Sequence, residues 1–129
     1  VKKSVLILCT GNSARSQMAE GILRHLRPDW EVESAGSKPT GQVRPEAIEA
    51  MEEIGIDLSG HRSKHLDVFA NRQFDVVMTV CDNANDNCPV YAATTERIHW
   101  NIDDPHTLDD FFRVRAEIRA FLENYVRDC

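Results

Sequence analysis

The segment VLILCTGNSARSQMAEGIL places a thiol, Cys9, at the end of an apolar run and an arginine, Arg15, six positions later. That spacing alone arises often by chance; its context makes it specific. The run at 5–8 is strand-like, Gly11 and Asn12 admit left-handed backbone, and a helix is predicted to begin at about Ser13. The backbone N–H groups of Thr10, Gly11, Asn12, Ser13, Ala14, Arg15 and Ser16 would then converge as a nest at a helix N-terminus, where an oxyanion binds. Arg15 can add a bidentate pair to two of its oxygens. The same field favours the Cys9 thiolate, because a helix N-terminus and a nearby cation lower a cysteine pKa to roughly 3.5–7.5. The chemistry expected is nucleophilic attack by sulfur on a tetrahedral oxyanion.

Two further thiols, Cys81 and Cys88, bracket a polar stretch in VCDNANDNCPV. On spacing alone they are isolated loop thiols or a reactive pair with equal weight. If paired, they cannot sit on an intact helix. Positions seven apart rise about 10.5 Å, whereas a disulfide needs Cα atoms within about 7 Å. Asp82, Asn83, Asn85, Asp86 and Asn87 are weak helix formers, which suits a segment that must change shape. Asp104 precedes Pro105, which pushes it toward extended backbone; Asp103 competes with it as a candidate acid, and an ordinary turn aspartate is the alternative. Cysteine spacing misses the short pairs of zinc sites, and His25, His61, His65, His99 and His106 show no ligand spacing, so no metal is expected. Cys129, the last residue, is assigned no role, and Trp30 and Trp100 are expected to pack.

These residues need a scaffold that brings strand ends together. Apolar runs predict strands at 5–8, 31–35, 74–80 and 96–100, and helical spacing predicts helices at 13–26, 45–55, 63–73 and 108–126. Alternation of strand and helix predicts one α/β domain over residues 1–129, with a small parallel sheet flanked by helices and its ligands beyond the carboxyl ends of the strands. A 42 % apolar and 28 % charged composition is ordinary for a folded soluble domain. The net charge of −6 argues against nucleic acid or an anionic membrane surface as partner. No membrane span is visible, and cysteines retained for chemistry predict a cytoplasmic protein. Nothing in the patterning demands more than a monomer.

CTGNSARSQMAEG resembles the phosphate-binding loop of the low-molecular-weight protein tyrosine phosphatase superfamily, and more closely that of its arsenate reductase branch. AIEAMEEIGIDLSGH, VVMTVCDNANDNCP and HWNIDDP match in the same order. The resemblance implies a four-stranded parallel sheet, with Asn12 and Ser16 holding the loop and Asp104 as general acid. It also implies arsenic detoxification by a three-cysteine relay. Cys9 forms an adduct with arsenate, Cys81 attacks Cys9 as arsenite leaves, and Cys88 attacks Cys81. A Cys81–Cys88 disulfide results, to be reduced by thioredoxin with no bound cofactor. Phosphate and sulfate would compete for the anion site. The alternative is a phosphatase that hydrolyses phosphomonoesters through a phosphocysteine, an activity expected in any case as a weak side reaction. In the thioredoxin-linked branch, residues matching Asn12, Glu20 and Ser34, with an aspartate, hold potassium beside the loop. Lys64 stands at the aspartate position, so its ammonium is expected either to replace the ion and pair with Glu20 or to be simply solvated. Ala14 replaces a cysteine common in the family, which leaves the distant pair as the internal electron source.

Overall fold

A computed structural model of the chain describes residues 2–82, 84 and 95–129. The first apolar run forms β1 (Ser4–Cys9), buried continuously from Val5 onward. Unbroken burial is what a central parallel strand requires, since both its faces are covered. β1 pairs in parallel with β2 (Glu31–Gly36) on one side and β3 (Val76–Thr79) on the other, and β4 (Glu96–His99) extends β3. The described residues thus form a four-stranded parallel sheet in the order β2-β1-β3-β4. Register sets Cys9 opposite Gly36 and Leu8 opposite Thr79, which faces His99 in turn. The ends of three strands therefore surround Cys9.

Helix α1 (Arg15–Leu26) buries Met18, Ala19, Ile22 and Leu23. The long α3 (Leu108–Arg127) buries Phe111, Val114, Ile118 and Leu122, an apolar stripe at helical spacing that packs against α1. Between them in sequence, α2 (Pro45–Glu52) has proline in its first turn, and the chain leaves it through Gly55 at φ 79°. Thr107 and Asp110 cap α3 reciprocally, each side chain taking the other's backbone N–H. Trp30 meets Tyr125 edge to face, and Trp100 stacks on Phe121 with centroids 3.7 Å apart, so both tryptophans pack as expected.

One predicted helix is not formed. Over 63–73 the chain makes only a four-residue 3₁₀ turn, Leu66–Phe69. The residues before it are tied elsewhere: Lys64 gives its N–H to Asn12 Oδ1 (2.9 Å) and its carbonyl to the Gly36 N–H (2.9 Å), while Ser63 Oγ donates to the Gly11 carbonyl (3.1 Å). Backbone groups spent on the Cys9 loop cannot close helical turns. The segment is an extended strap beneath that loop.

Candidate active site

Cys9 ends β1 fully enclosed, and the chain turns sharply through residues 10–14 into α1. Asn12 supplies the left-handed turn at φ 48°, a conformation asparagine tolerates better than most residues. Every carbonyl of this turn is engaged. Thr10 O accepts from the Lys38 N–H (2.9 Å), Gly11 O from the Thr40 N–H (3.0 Å), and Asn12 O from Gln17 Nε2 (3.2 Å). Ser13 O accepts from the Arg44 N–H (2.7 Å) and Ala14 O from the Met18 N–H (2.9 Å). In a trans peptide the N–H points away from its carbonyl. Carbonyls anchored in the scaffold thus fix the planes of the peptides that follow, and the Asn12 N–H donates to Cys9 Sγ at 3.1 Å. These anchors fix the backbone of the loop at residues 10–14.

Beneath the loop runs a buried polar chain. Ser34 Oγ donates to Glu20 Oε1 (2.6 Å), Asn12 Nδ2 donates to Ser34 Oγ (3.0 Å) and Ser16 Oγ (2.8 Å), and Ser16 Oγ lies 2.8 Å from Cys9 Sγ. Because Ser16 accepts from Asn12, its own proton is available to the sulfur. Asn12 Oδ1 is used as well, accepting from the Lys64 N–H and from Gln17 Nε2 (3.0 Å). A buried network satisfied at each member is rigid, and this one fixes both the loop and the sulfur.

Burial pushes the Cys9 thiol above its ordinary value, against the opposing pull of the Ser16 hydroxyl, the backbone N–H groups of Ser16 and Asn12, and Arg15. The donors expected from the sequence are present around the sulfur, and burial opposes them. Arg15 accounts for part of that balance. Its Nη1 donates to the Ile102 carbonyl (2.9 Å) and its Nε lies 3.9 Å from Asp104 Oδ1. Asp104 is exposed, on the irregular stretch between β4 and α3, and its carboxylate faces Arg15. Asp103 is exposed on the same stretch.

The expected Lys64–Glu20 pair is not formed. Lys64 Nζ donates to the Arg62 carbonyl (3.2 Å) and lies over the Phe69 ring, so this residue serves the loop through its backbone. The groups beside Glu20 Oε2 are Arg24 Nε (3.2 Å) and His61 Nδ1 (3.4 Å), and His61 Nδ1 also lies 3.1 Å from Gln17 Oε1. Burial pulls the His61 pKa down, although Glu20 opposes it. Gln17, Arg24 and His61 are thus supports that sequence reasoning passed over. For two of them a signal existed: Gln17, Glu20 and Arg24 lie three and four positions apart, a polar file that runs along α1 from buried Gln17 and Glu20 to exposed Arg24.

Cys81 follows β3 and is buried. Its sulfur accepts from the Ala84 N–H at 3.4 Å and lies 3.3 Å from Thr10 Oγ1, on the residue next to the nucleophile. Cys88 and its pairing with Cys81 lie outside the described residues.

A parallel α/β sheet carries a buried cysteine at the end of its central strand, a loop whose Asn12 N–H meets the sulfur, and an arginine at the start of the next helix. The chain belongs to the low molecular weight phosphotyrosine protein phosphatase family, whose model matches residues 4–128. It is 46 % identical over 127 residues to an arsenate reductase of Staphylococcus xylosus, covering 96 % of each chain. Among solved structures it resembles an arsenate reductase in the phosphate-binding state, with a TM-score of 0.81, 34 % identity and 98 % of each chain covered. A thioredoxin-dependent arsenate reductase of Corynebacterium glutamicum matches with a TM-score of 0.76 and 28 % identity over 98 % of this chain and 63 % of that one.

Proposed function

We propose that this protein reduces arsenate to arsenite by a relay through Cys9, Cys81 and Cys88, with thioredoxin as the electron donor. Arsenate binds in the loop of residues 10–16, where Arg15 and the N–H groups neutralise its oxygens. Cys9 Sγ attacks arsenic, and any proton it carries passes to an arsenate oxygen as the S–As bond forms. Asp104 protonates the departing oxygen, which leaves as water. Cys81 Sγ then attacks Cys9 Sγ, its proton passing to an arsenic-bound oxygen, and the S–As bond breaks with its electron pair on arsenic. As(V) becomes As(III), and arsenite leaves behind a Cys9–Cys81 disulfide. Cys88 attacks Cys81 Sγ, releases the Cys9 thiolate and leaves a Cys81–Cys88 disulfide. A dithiol donor supplies two electrons and two protons to reset the pair.

The place of Cys81 carries this proposal. A second buried thiol, 3.3 Å from the side chain that follows the nucleophile, is of no use in ester hydrolysis and is what a sulfur-to-sulfur transfer needs. The identity to arsenate reductases over 96 % of the chain supports the same conclusion. Phosphate and sulfate should compete for the loop, and weak hydrolysis of aryl phosphates should persist because the anion site is shared. The need for reduced thiols places the protein in the cytoplasm. Among the described residues no helix is long and apolar enough to cross a membrane. The acting unit in this reading is a monomer.

Cys81→Ser tests the proposal. It should abolish arsenate turnover with a thioredoxin system and leave p-nitrophenyl phosphate hydrolysis within about twofold. Equal loss of both activities, or of neither, would rule the relay out.

A further inference from the structure

The acid proposed above, Asp104, has little of its own to hold it. It lies outside any helix or strand, is exposed, and touches Arg15 only at 3.9 Å. Proton transfer demands placement within hydrogen-bond reach of the leaving oxygen. Something else must therefore set the backbone that carries it.

Two arginines flank that backbone. On the near side, Arg15 Nη1 holds the Ile102 carbonyl, and the Ile102 N–H donates to Val80 O at 2.9 Å. On the far side, Arg44 Nη1 donates to the Pro105 carbonyl at 2.9 Å, one residue beyond the acid. Arg44 precedes α2, and its own N–H is the donor that anchors Ser13 O of the anion loop at 2.7 Å. One residue thus grips the nucleophile's loop with its backbone and the acid's loop with its side chain.

The guanidinium is itself restrained from two other directions. Nη2 pairs with Glu46 Oε2 at 2.7 Å, and the Glu46 carboxyl is held below its ordinary value, first by its own backbone N–H and then by Arg44. The Arg44 Cζ also sits 4.8 Å from the centre of the Phe111 ring of α3. A planar fork that meets a carboxylate, a carbonyl and a ring face together is a role a lysine cannot fill. The N-terminus of α2 takes no side-chain cap from Arg44, so the guanidinium serves the Pro105 carbonyl, Glu46 and the Phe111 ring.

We infer that Arg44 is a positioning residue for the proposed reaction, a clamp that fixes the distance between the anion loop and the Asp104 carboxyl. It touches neither thiol nor substrate oxygen and acts through the Pro105 carbonyl. The inference rests on Asp104 as the acid, so the test separates the two. A misplacement of about 1 Å in a reacting group costs on the order of 10²-fold in rate, and loss of the acid itself about 10²–10⁴-fold. Arg44→Met removes both polar contacts of the fork while keeping an apolar stem on Phe111.

The experiment is a double-mutant cycle read by the single-turnover rate of arsenite formation, with enzyme in excess over arsenate and no thioredoxin. Arg44→Met should slow that rate roughly 10- to 100-fold in the wild-type background and leave the half-saturating concentration within twofold. In an Asp104→Asn background the same substitution should cost less than twofold, because the acid it positions is gone. Arg44→Lys, which can reach one acceptor and not both, should restore part of the rate; it replaces Arg44→Met in the cycle if that variant fails to fold. Equal loss in both backgrounds, or no loss in either, overturns the clamp while leaving Asp104 as acid. If Asp104→Asn alone leaves the rate unchanged, the acid assignment fails and the clamp with it.

Discussion

Gly36, the last residue of β2, sits where two backbones come closest, and adding a single methyl there is a severe perturbation. A Cβ on Gly36 would lie 2.4 Å from the Thr10 carbonyl oxygen and 3.1 Å from both the Cβ and the N of Asn12. These are not flexible neighbours. Thr10 O is held by the Lys38 N–H and Gly36 itself by the Lys64 carbonyl, each at 2.9 Å. Relief to ordinary van der Waals contact needs a shift of about 1 Å in the Cys9 loop or in the end of β2, enough to cost on the order of 10²-fold in rate. Overpacking of this kind destabilises by about 1–3 kcal/mol, against a total of about 5–15 kcal/mol for a domain of ordinary stability. Gly36→Ala should therefore remain folded, with its urea midpoint lowered by about 1 M for a typical slope, and lose about 10²-fold in kcat/KM for arsenate. Gly60→Ala is the matched control, because a Cβ there meets nothing within 4 Å; it should stay within about 0.5 kcal/mol and keep full activity. The glycine at 36 is not at positive φ, so the effect is steric and owes nothing to backbone strain. Wild-type kcat/KM and an unchanged midpoint in Gly36→Ala would refute the claim that the loop is fixed to within an ångström by its scaffold.

Because burial raises the Cys9 thiol, inactivation of the free enzyme by iodoacetamide should rise with pH to a midpoint above 9.0, and a midpoint near neutrality would contradict the balance described. His61 is depressed below 6.5 in the fold, mainly by burial, so the unfolded chain takes up its proton first as pH falls. The stability it contributes is full above 6.5 and is lost as pH drops through the folded value; His61→Gln should flatten the urea midpoint across that window. Thr107→Ala removes the cap of α3 and should cost about 1 kcal/mol. Asp110, held at about 2 first by the Thr107 and His106 backbones, stabilises above its unfolded 3.8 and loses that effect as pH falls toward 2. Asp110→Asn should accordingly cost stability at pH 7 and little at pH 2, as read by thermal melts.

The strands and the long helices were legible because their signals are local. The run at 5–8 has no polar interruption, and the stripes of α1 and α3 repeat at helical spacing. The loop at 9–16 was legible because its residue types can do little else together. What could not be read was set by contacts distant in sequence. Residues 63–73 carry helical spacing, yet Lys64 gives both its backbone groups to Asn12 and Gly36, and that competition is invisible to periodicity. The sign of the Lys64 charge suggested a partner for Glu20, but the packing of His61 and Arg24 had already filled that side of the carboxylate. The burial of Cys9 is hidden for a related reason: donors can be counted from a sequence, while the depth of burial that opposes them cannot.

The transfer of oxidation from Cys9 outward is open to one direct measurement. Reduced enzyme is mixed with arsenate without any reductant, quenched with acid and an alkylating reagent after one turnover, and its peptides are mapped by mass. One arsenite per enzyme should appear, with Cys81 and Cys88 joined and Cys9 alkylated. Arsenite formed while both Cys81 and Cys88 are recovered as alkylated free thiols would contradict the relay.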